Sequence, residues 1–424
     1  MTLNPSQPYD VTVIGLGYIG LPTAAFFAAS GLKVYGYDIN PSLVNSVQQG
    51  KAPFAEPGFE SFLSSTVESG NLKAGTNIQP AKAYILAVPT PLQPDRKADV
   101  SFVFDAATSL APRLCGGDLV IVESTCPPGL TEDITNHILQ SRPDLTLTPK
   151  KPNSLYVAHA PERVLPGKIM SEMKTNDRIV GGVTPESAKQ ARQLYESFCA
   201  GEVLVTDSRT AEMTKLAENS FRDVNIAFAN ELSLICDDLG IDVWELISLA
   251  NRHPRVNILQ PGPGVGGHCI AVDPWFIVEA AADSARLIKT SREVNGSKPQ
   301  RVIDKVSEKV NAVESASGKL NICILGITFK PDIDDIRESP ALQIAETIAR
   351  TYTNASISIV EPNLDKLPKP LTDFPNVTQV ALEDGIANAD VAVVLVDHTL
   401  FKEKIQVIAQ HQCLIDTRGI LNGR

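Results

Sequence analysis

The 424-residue sequence is short of positive charge: 38 Lys and Arg stand against 49 Asp and Glu, a formal net charge of −11. Nucleic-acid binding needs a basic surface to neutralise phosphates, so no nucleic-acid partner is expected. Paired cysteines are also missing. The seven present are odd in number and scattered, with no C-x-x-C pair. That excludes a disulfide framework and a zinc ribbon, points to a reducing compartment, and leaves no metal expected. A basic start is absent as well. Val11–Leu32 is a run of 22 residues without a formal charge, long enough to span a bilayer. No Lys or Arg precedes it, as a signal peptide would require, and Gly15, Gly17, Gly20, Pro22 and Gly31 interrupt it. A membrane helix does not normally break three times in six residues, so no membrane association is expected.

What is present is ordinary globular material, 43% hydrophobic and 21% charged, enough for several cores. At ~150 residues per domain the length suggests two or three domains. Short apolar runs at Val11–Ile14, Lys33–Tyr37, Ala83–Val88, Leu119–Val122 and Leu155–Ala158 alternate with helical patterns, the signature of a parallel sheet covered on both faces. Pro143–Ser154 reads as a surface loop. From about Asp207 to Leu239 there is no Pro or Gly, and Leu216, Phe221, Val224, Phe228, Leu232 and Ile235 recur at helical spacing. Helices are expected there, over Asp242–Ala250, and from about Pro274 into Arg292. After a polar segment near Asn311–Lys319, alternation resumes: strands at Leu320–Leu325, Ser356–Val360, Val391–Val396 and Cys413–Asp416, and a helix at Ala341–Arg350. The expected fold is α/β: two Rossmann-like doubly wound parallel-sheet domains, 1–205 and 316–424, joined by an all-helical domain, 206–310. The long central helix carries more apolar surface than one short domain covers, so a homodimer through it is expected.

Four segments carry chemistry. First, Gly15-Leu-Gly17-Tyr18-Ile19-Gly20 follows a strand and opens a helix. Its glycines allow a tight turn and close backbone approach to a pyrophosphate at the helix N-terminus. Eighteen positions on, Asp38 ends the second strand, where a carboxylate accepts from a ribose diol and repels a 2′-phosphate; NAD is expected rather than NADP. Second, six of the nine residues in Pro261–Cys269 are Pro or Gly, so neither helix nor strand forms. Cys269 is the one cysteine in such a loop, with His268 and Asp273 nearby, and reads as a nucleophile; the others read as buried hydrophobes. Third, Lys215, Asn219 and Arg222 stand at i, i+4 and i+7 on one helical face. Lys and Arg alone would be a solvated stripe, but Asn between two cations suits an oxyanion site. Fourth, Leu325-Gly-Ile-Thr-Phe329-Lys330 through Arg337 lies at the first strand-to-helix junction of the second α/β unit. Lys330 and Arg337 offer cations for a diphosphate, while Asp332, Asp334, Asp335 and Glu338 permit a salt-bridged structural loop instead.

In this order the four segments resemble the nucleotide-sugar 6-dehydrogenase family, the UDP-glucose/GDP-mannose dehydrogenases, over essentially the whole chain. UDP-glucose enzymes typically carry Gly-Gly-Ser-Cys-Phe at the nucleophile. The Gly-Gly-His-Cys-Ile form here, with Asn251–Leu259 and Ser220–Glu231, is similar to members acting on UDP-N-acetyl-D-mannosamine. The resemblance implies a cytoplasmic bacterial enzyme making UDP-N-acetylmannosaminuronate for a surface polysaccharide such as enterobacterial common antigen. It makes Cys269 the nucleophile, Lys215 the acid/base and oxyanion stabiliser, and Asn219 its assistant. Asp273 holds a water and Glu162 acts in thioester hydrolysis. Thr90 and Thr125 line NAD, and Arg337 reaches its side. Arg163, Val164, Arg222, His253, Arg255 and Gly266 meet the sugar nucleotide, with Phe329 and Lys330 on its UDP part. Leu130 departs from the family's usual Thr or Ser after Gly129, and Thr131 stands in a position to compensate.

Three rivals predict differently. UDP-N-acetylglucosamine, UDP-N-acetylgalactosamine or UDP-glucose would undergo the same chemistry but differ at C2 or C4. A β-hydroxyacid dehydrogenase would make one NADH per substrate without Cys269. An NAD-sensing binding protein leaves the cysteine loop unexplained.

Overall fold

The computed structural model describes residues 7–267, 269–313 and 319–423. They fold as two compact units, one comprising 7–218 with 275–282 and the other the described residues of 219–274 and 283–423.

The first unit is built on an eight-stranded sheet of β1 (Tyr9–Ile14), β2 (Val34–Tyr37), β3 (Leu72–Gly75), β4 (Ala81–Leu86), β5 (Leu119–Val122), β6 (Tyr156–His159), β7 (Arg178–Gly182) and β8 (Val203–Asp207), ordered 3-2-1-4-5-6-7-8. The strands are parallel except at β6–β7, which pair antiparallel through Ala158–Gly182 and His159–Gly181. Leu119–Val122 is buried at every position, as expected of a strand covered by helices on both faces. One core cluster joins Val11, Val13 and Val34 to Phe27 of the Gly20–Ala29 helix; another joins Ile14, Leu86 and Val122 to Ile134 and Ile138 of the Leu130–Ser141 helix.

The second unit holds a five-stranded parallel sheet of β9 (Asn321–Leu325), β10 (Ser356–Val360), β11 (Val377–Gln379), β12 (Val391–Val394) and β13 (Leu414–Asp416), ordered 11-10-9-12-13. The Pro340–Thr351 helix begins with Pro after the Ser339 N-cap, whose Oγ accepts from the Leu342 amide, and packs Ile344 and Ile348 into that core.

Between the sheets in sequence lie helices. Ser208–Leu239 runs 32 residues as expected, and Val243–Ala250 follows the Asp242 N-cap. The single helix expected from Pro274 into Arg292 is instead two, Asp273–Ala280 and Arg286–Ala312. The second runs 27 residues across Pro299, so the polar segment expected near Asn311 starts only after the helix ends; residues 314–318 lie outside the described chain. Among the described residues no helix is long and apolar enough to cross a membrane.

Candidate active site

The dinucleotide-type turn forms where the sequence places it. Gly15 sits at φ +95°, a left-handed conformation, and a Cβ on it would lie 2.6 Å from the Ala87 carbonyl oxygen, so only glycine fits. At Gly17 a Cβ would meet no described atom within 4 Å; that backbone stays open to a ligand. Ile19 at the N-cap gives no side-chain hydrogen bond and the first helical turn carries no acidic residue; Leu21 and Thr23 donate their amides to the Gly17 and Ile19 carbonyls at 3.1 Å, so what favours an anion here is the positive helix end and the bare Gly17 backbone. Tyr18 donates its hydroxyl to Glu56 Oε2 at 2.9 Å. Asp38 is half-buried at the end of β2; its Oδ2 accepts from the Leu16 amide and its Oδ1 from the Asn40 amide, both at 2.9 Å. With two lone pairs left for a ribose diol, these residues fit NAD. Thr90 donates its hydroxyl to the Thr125 carbonyl at 2.9 Å, so those two cofactor-lining candidates come together.

Glu162 lies in a buried ion cluster that sequence spacing does not reveal. Its Oε1 accepts from the Arg163 amide at 2.7 Å, and its Oε2 from Arg178 at 2.6 Å. Arg178 is 5% exposed, stacks on the Tyr195 ring at 4.5 Å, and is shared with Glu123. Burial pushes the Glu123 carboxyl up to about 7, against the Arg178 charge. Arg163 reaches Glu218 at 2.5 Å and the Asp177 carbonyl. Val164 packs beside Phe26, Ile169 and Met173. Glu56, also missed, accepts from the amides of Gly167 and Ile169 at 2.9 and 2.8 Å and so fastens the Pro161–Gly167 loop to Tyr18.

Lys215, Asn219 and Arg222 occur along the Ser208–Leu239 helix, Lys215 and Asn219 partly buried and Arg222 exposed. Asn219 Nδ2 donates to Asp273 Oδ2 at 2.5 Å, and Asp273 is buried. That hydrogen bond fixes which way the Asn amide faces. Cys269 is exposed; its carbonyl accepts from the amides of Val272 and Asp273 at 3.1 and 2.8 Å, one turn ahead of the Asp273–Ala280 helix. His268 lies outside the described residues.

The cysteine loop is pinned at both ends of its glycines. Asn230 Oδ1 accepts from the Gly262 amide at 2.9 Å, Asn230 Nδ2 donates to Asn295 Oδ1 at 2.8 Å, and Asn295 Nδ2 donates to Asp223, which Arg292 also holds at 2.6 Å. At the other end the Gly267 amide donates to the Arg337 carbonyl at 3.3 Å. A Cβ at Gly266 would lie 2.5 Å from the Glu338 carbonyl oxygen, and one at Gly267, which sits at φ +83°, 2.9 Å from the Phe329 ring. Gly266, Gly267, Phe329 and the Arg337 backbone are thus brought together. Arg418, unforeseen, points its guanidinium at Gly262, 2.5 Å from where a Cβ would be.

Lys330 is exposed. Arg337 is spread over Asp335 at 2.6–3.0 Å, so the salt-bridged loop forms in part, flanked by positive φ at Asp332 and Glu338. Beneath it Glu361 accepts from the Ile327 amide at 2.8 Å and from His398 Nε2 at 3.2 Å. Burial would raise its carboxyl, but His398 and the amides hold it below the ordinary range. His253 and Arg255 are exposed on a loop closed by Asn251, which exchanges hydrogen bonds of 2.7 and 3.0 Å with Ile258.

The same three-part order appears in known proteins. Residues 9–199 match the UDP-glucose/GDP-mannose dehydrogenase family's NAD binding domain, 209–297 its central domain and 323–423 its UDP binding domain. The chain is 51% identical over 416 residues, 97% of its length and 98% of the relative's, to a UDP-N-acetyl-D-mannosamine dehydrogenase of Escherichia coli K12. It is 48% identical, over 98% of this chain and 96% of the other, to an NDP-N-acetyl-D-galactosaminuronic acid dehydrogenase of Ralstonia nicotianae. A solved UDP-D-ManNAc dehydrogenase from Pyrococcus horikoshii superimposes with a TM-score of 0.85 at 36% identity, covering 98% of this chain and 96% of that one. The open Gly17 turn with Asp38, and the cysteine loop seated on Phe329, therefore belong to an NAD-dependent enzyme: the chain is a member of the UDP-glucose/GDP-mannose dehydrogenase family.

Proposed function

We propose that this protein oxidises the C6 alcohol of UDP-N-acetyl-D-mannosamine to the carboxylate of UDP-N-acetyl-D-mannosaminuronate, for surface-polysaccharide synthesis in the cytoplasm. The observation that carries the chemistry is Cys269, exposed at the end of a glycine-rich loop packed on Phe329; the choice of sugar rests on the relatives' named substrate. We assign 1–205 to NAD, 206–310 to catalysis and dimerisation, and 316–424 to UDP.

Alcohol to acid removes four electrons in two hydride losses. Gly15, Gly17, Tyr18, Ile19, Gly20, Asp38, Thr90, Thr125 and Arg337 would hold NAD, which would supply the hydride acceptor for each oxidation. Lys215 takes the hydroxyl proton as the aldehyde forms, and its ammonium then faces the developing oxyanion beside the Asn219 amide. The Cys269 thiolate adds to the aldehyde carbon; only the resulting tetrahedral thiohemiacetal loses a second hydride readily, giving a thioester. Asp273, which orients Asn219, holds the water that cleaves the thioester, with Glu162 assisting and Cys269 as leaving group. Arg163, Val164, Arg222, His253, Arg255, Gly266, Phe329 and Lys330 bind the sugar nucleotide. A reactive thiolate of this kind persists in a reducing compartment.

We also propose a homodimer through the Ser208–Leu239 helix. Phe221, Phe228 and Ile235 repeat at seven-residue spacing along it, 72%, 52% and 46% exposed, an apolar seam suited to self-pairing.

Purified protein incubated with NAD and each UDP-sugar in turn is expected to yield two NADH per acid, fastest with UDP-N-acetyl-D-mannosamine. Cys269→Ser is expected to lower acid formation by roughly three orders of magnitude or more. Undiminished acid from that variant refutes the covalent step, and preference for another UDP-sugar refutes the sugar assignment. A monomeric mass in sedimentation refutes the dimer.

A further inference from the structure

The first unit holds a second cluster of reactive side chains that the dehydrogenase chemistry leaves unused. Cys126 Sγ, a ring nitrogen of His159 and a carboxylate oxygen of Glu212 lie within 4.8 Å of one another, and all three side chains are 0–1% exposed. Three elements deliver them: Cys126 from the loop after β5, His159 from the last position of β6, and Glu212 from the start of the Ser208–Leu239 helix.

His159 is the informative member. Neither of its ring nitrogens has a hydrogen-bond partner among the described residues, an unfavourable state for a group removed from water. A neutral imidazole nitrogen offers a lone pair, and one of these lies within 4.8 Å of both the thiol and the carboxylate. The Glu212 carboxylate is aimed rather than loose. Its Oε1 accepts from the Thr131 amide and hydroxyl at 2.8 and 2.6 Å, and its Oε2 from the Gly129 amide at 2.6 Å, an arrangement of the kind that orients a metal-binding carboxylate. Cys126 sits against the Ser124 carbonyl at 3.1 Å. A nearby divalent cation favours the thiolate form of such a group. One thiolate, one imidazole and one carboxylate at this separation form a donor set suited to a borderline-soft divalent ion.

We propose that Cys126, His159 and Glu212 form a buried site for a zinc-class divalent cation, with an oxygen ligand in the fourth position. Binding forms a metal–sulfur bond and releases the Cys126 thiol proton to solvent, with no change of oxidation state. The ion ties the loop carrying Thr125 to the end of β6 and to the helix on which Lys215 follows Glu212 by three residues. Its role is structural, since none of its ligands is assigned a part in the reaction. The sequence gives no hint of it: the three residues are far apart and follow no metal-ligand spacing.

The test uses the full chain without a metal-binding tag. After incubation with Zn2+ and desalting, elemental mass spectrometry is expected to find about one ion per chain. Co2+ in place of Zn2+ is expected to give thiolate-to-metal absorption in the near ultraviolet with tetrahedral visible bands. Cys126→Ser loses the thiolate absorption, His159→Gln loses stoichiometric metal, and Cys269→Ser keeps both. Zn2+ raises the unfolding temperature of the unaltered protein, and a chelator reverses the rise. Less than about a fifth of an ion per chain in the unaltered protein, or Co2+ absorption that disappears with Cys269 rather than Cys126, overturns the proposal.

Discussion

The first turns of the two sheets are built alike and used differently. Each leaves its central strand through a left-handed glycine, Gly15 at φ +95° and Gly326 at φ +85°. In each, a carboxylate at the end of the neighbouring strand accepts from the next amide: Asp38 from Leu16, Glu361 from Ile327. Asp38 then faces outward beside exposed Ile39, whereas Glu361 is closed off by His398, both fully buried. The Asp332 amide donates to His398 Nδ1 at 3.0 Å, so the ring's proton lies on Nε2, toward Glu361. Asp38 accepts from two amides of its own chain and keeps two lone pairs free; Glu361 is closed in by its own chain. The same turn thus leaves an acceptor open at one junction and covers it at the other, where exposed Lys330 stands outside the cap.

The largest expected effect follows from filling the open turn. Gly17→Val places a side chain where no described atom stands; the protein still folds, but NAD affinity measured by calorimetry falls by roughly a hundredfold or more, because the backbone can no longer approach the pyrophosphate. Asp38→Ala removes charged hydrogen bonds to the ribose, with an expected rise of about tenfold or more in KM for NAD and a narrowed gap to NADP. At the capped junction Lys330→Ala weakens UDP, measured as product inhibition, by about tenfold, with NAD affinity unchanged. His398→Gln acts on stability instead, lowering it by about 1–3 kcal/mol in denaturant titration. The Glu361 carboxyl titrates below its ordinary 4.5 in the fold, so its contribution is present above that pH and fades as pH falls through the folded value; the variant should lose part of that acid-side slope. Ile39→Asn, at a position 79% exposed, should change stability by less than about 0.5 kcal/mol. A large loss there would mean that the open turn depends on packing rather than on the carboxylate.

Periodicity and loop chemistry made much of this legible from sequence. Leu119–Val122 and Ser356–Val360 form strands with the expected bounds, and the long helix begins one residue after its expected start. The strand β8 escaped notice because Leu204 and Val205 are exposed, so its apolar residues do not alternate toward a core. The helix expected to run into Arg292 continues to Ala312, through Gly296 and through Pro299, which is buried. In the candidate site, the residues that bear motifs could be named in advance. Their supports could not: Glu56, Arg178, Asn230, Asn295, His398 and Arg418 act through contacts across long sequence separations, and neither period nor spacing reports such contacts.

The close seat of Gly266 and Gly267 on Phe329 and the Glu338 carbonyl joins two segments more than sixty positions apart. A side chain at Gly266 would meet the Glu338 backbone before the ring, and the positive φ at Gly267 opposes one whatever the ring does. Trimming Phe329 therefore makes room for neither, and the thiol-bearing loop has no substitute for its two bare positions.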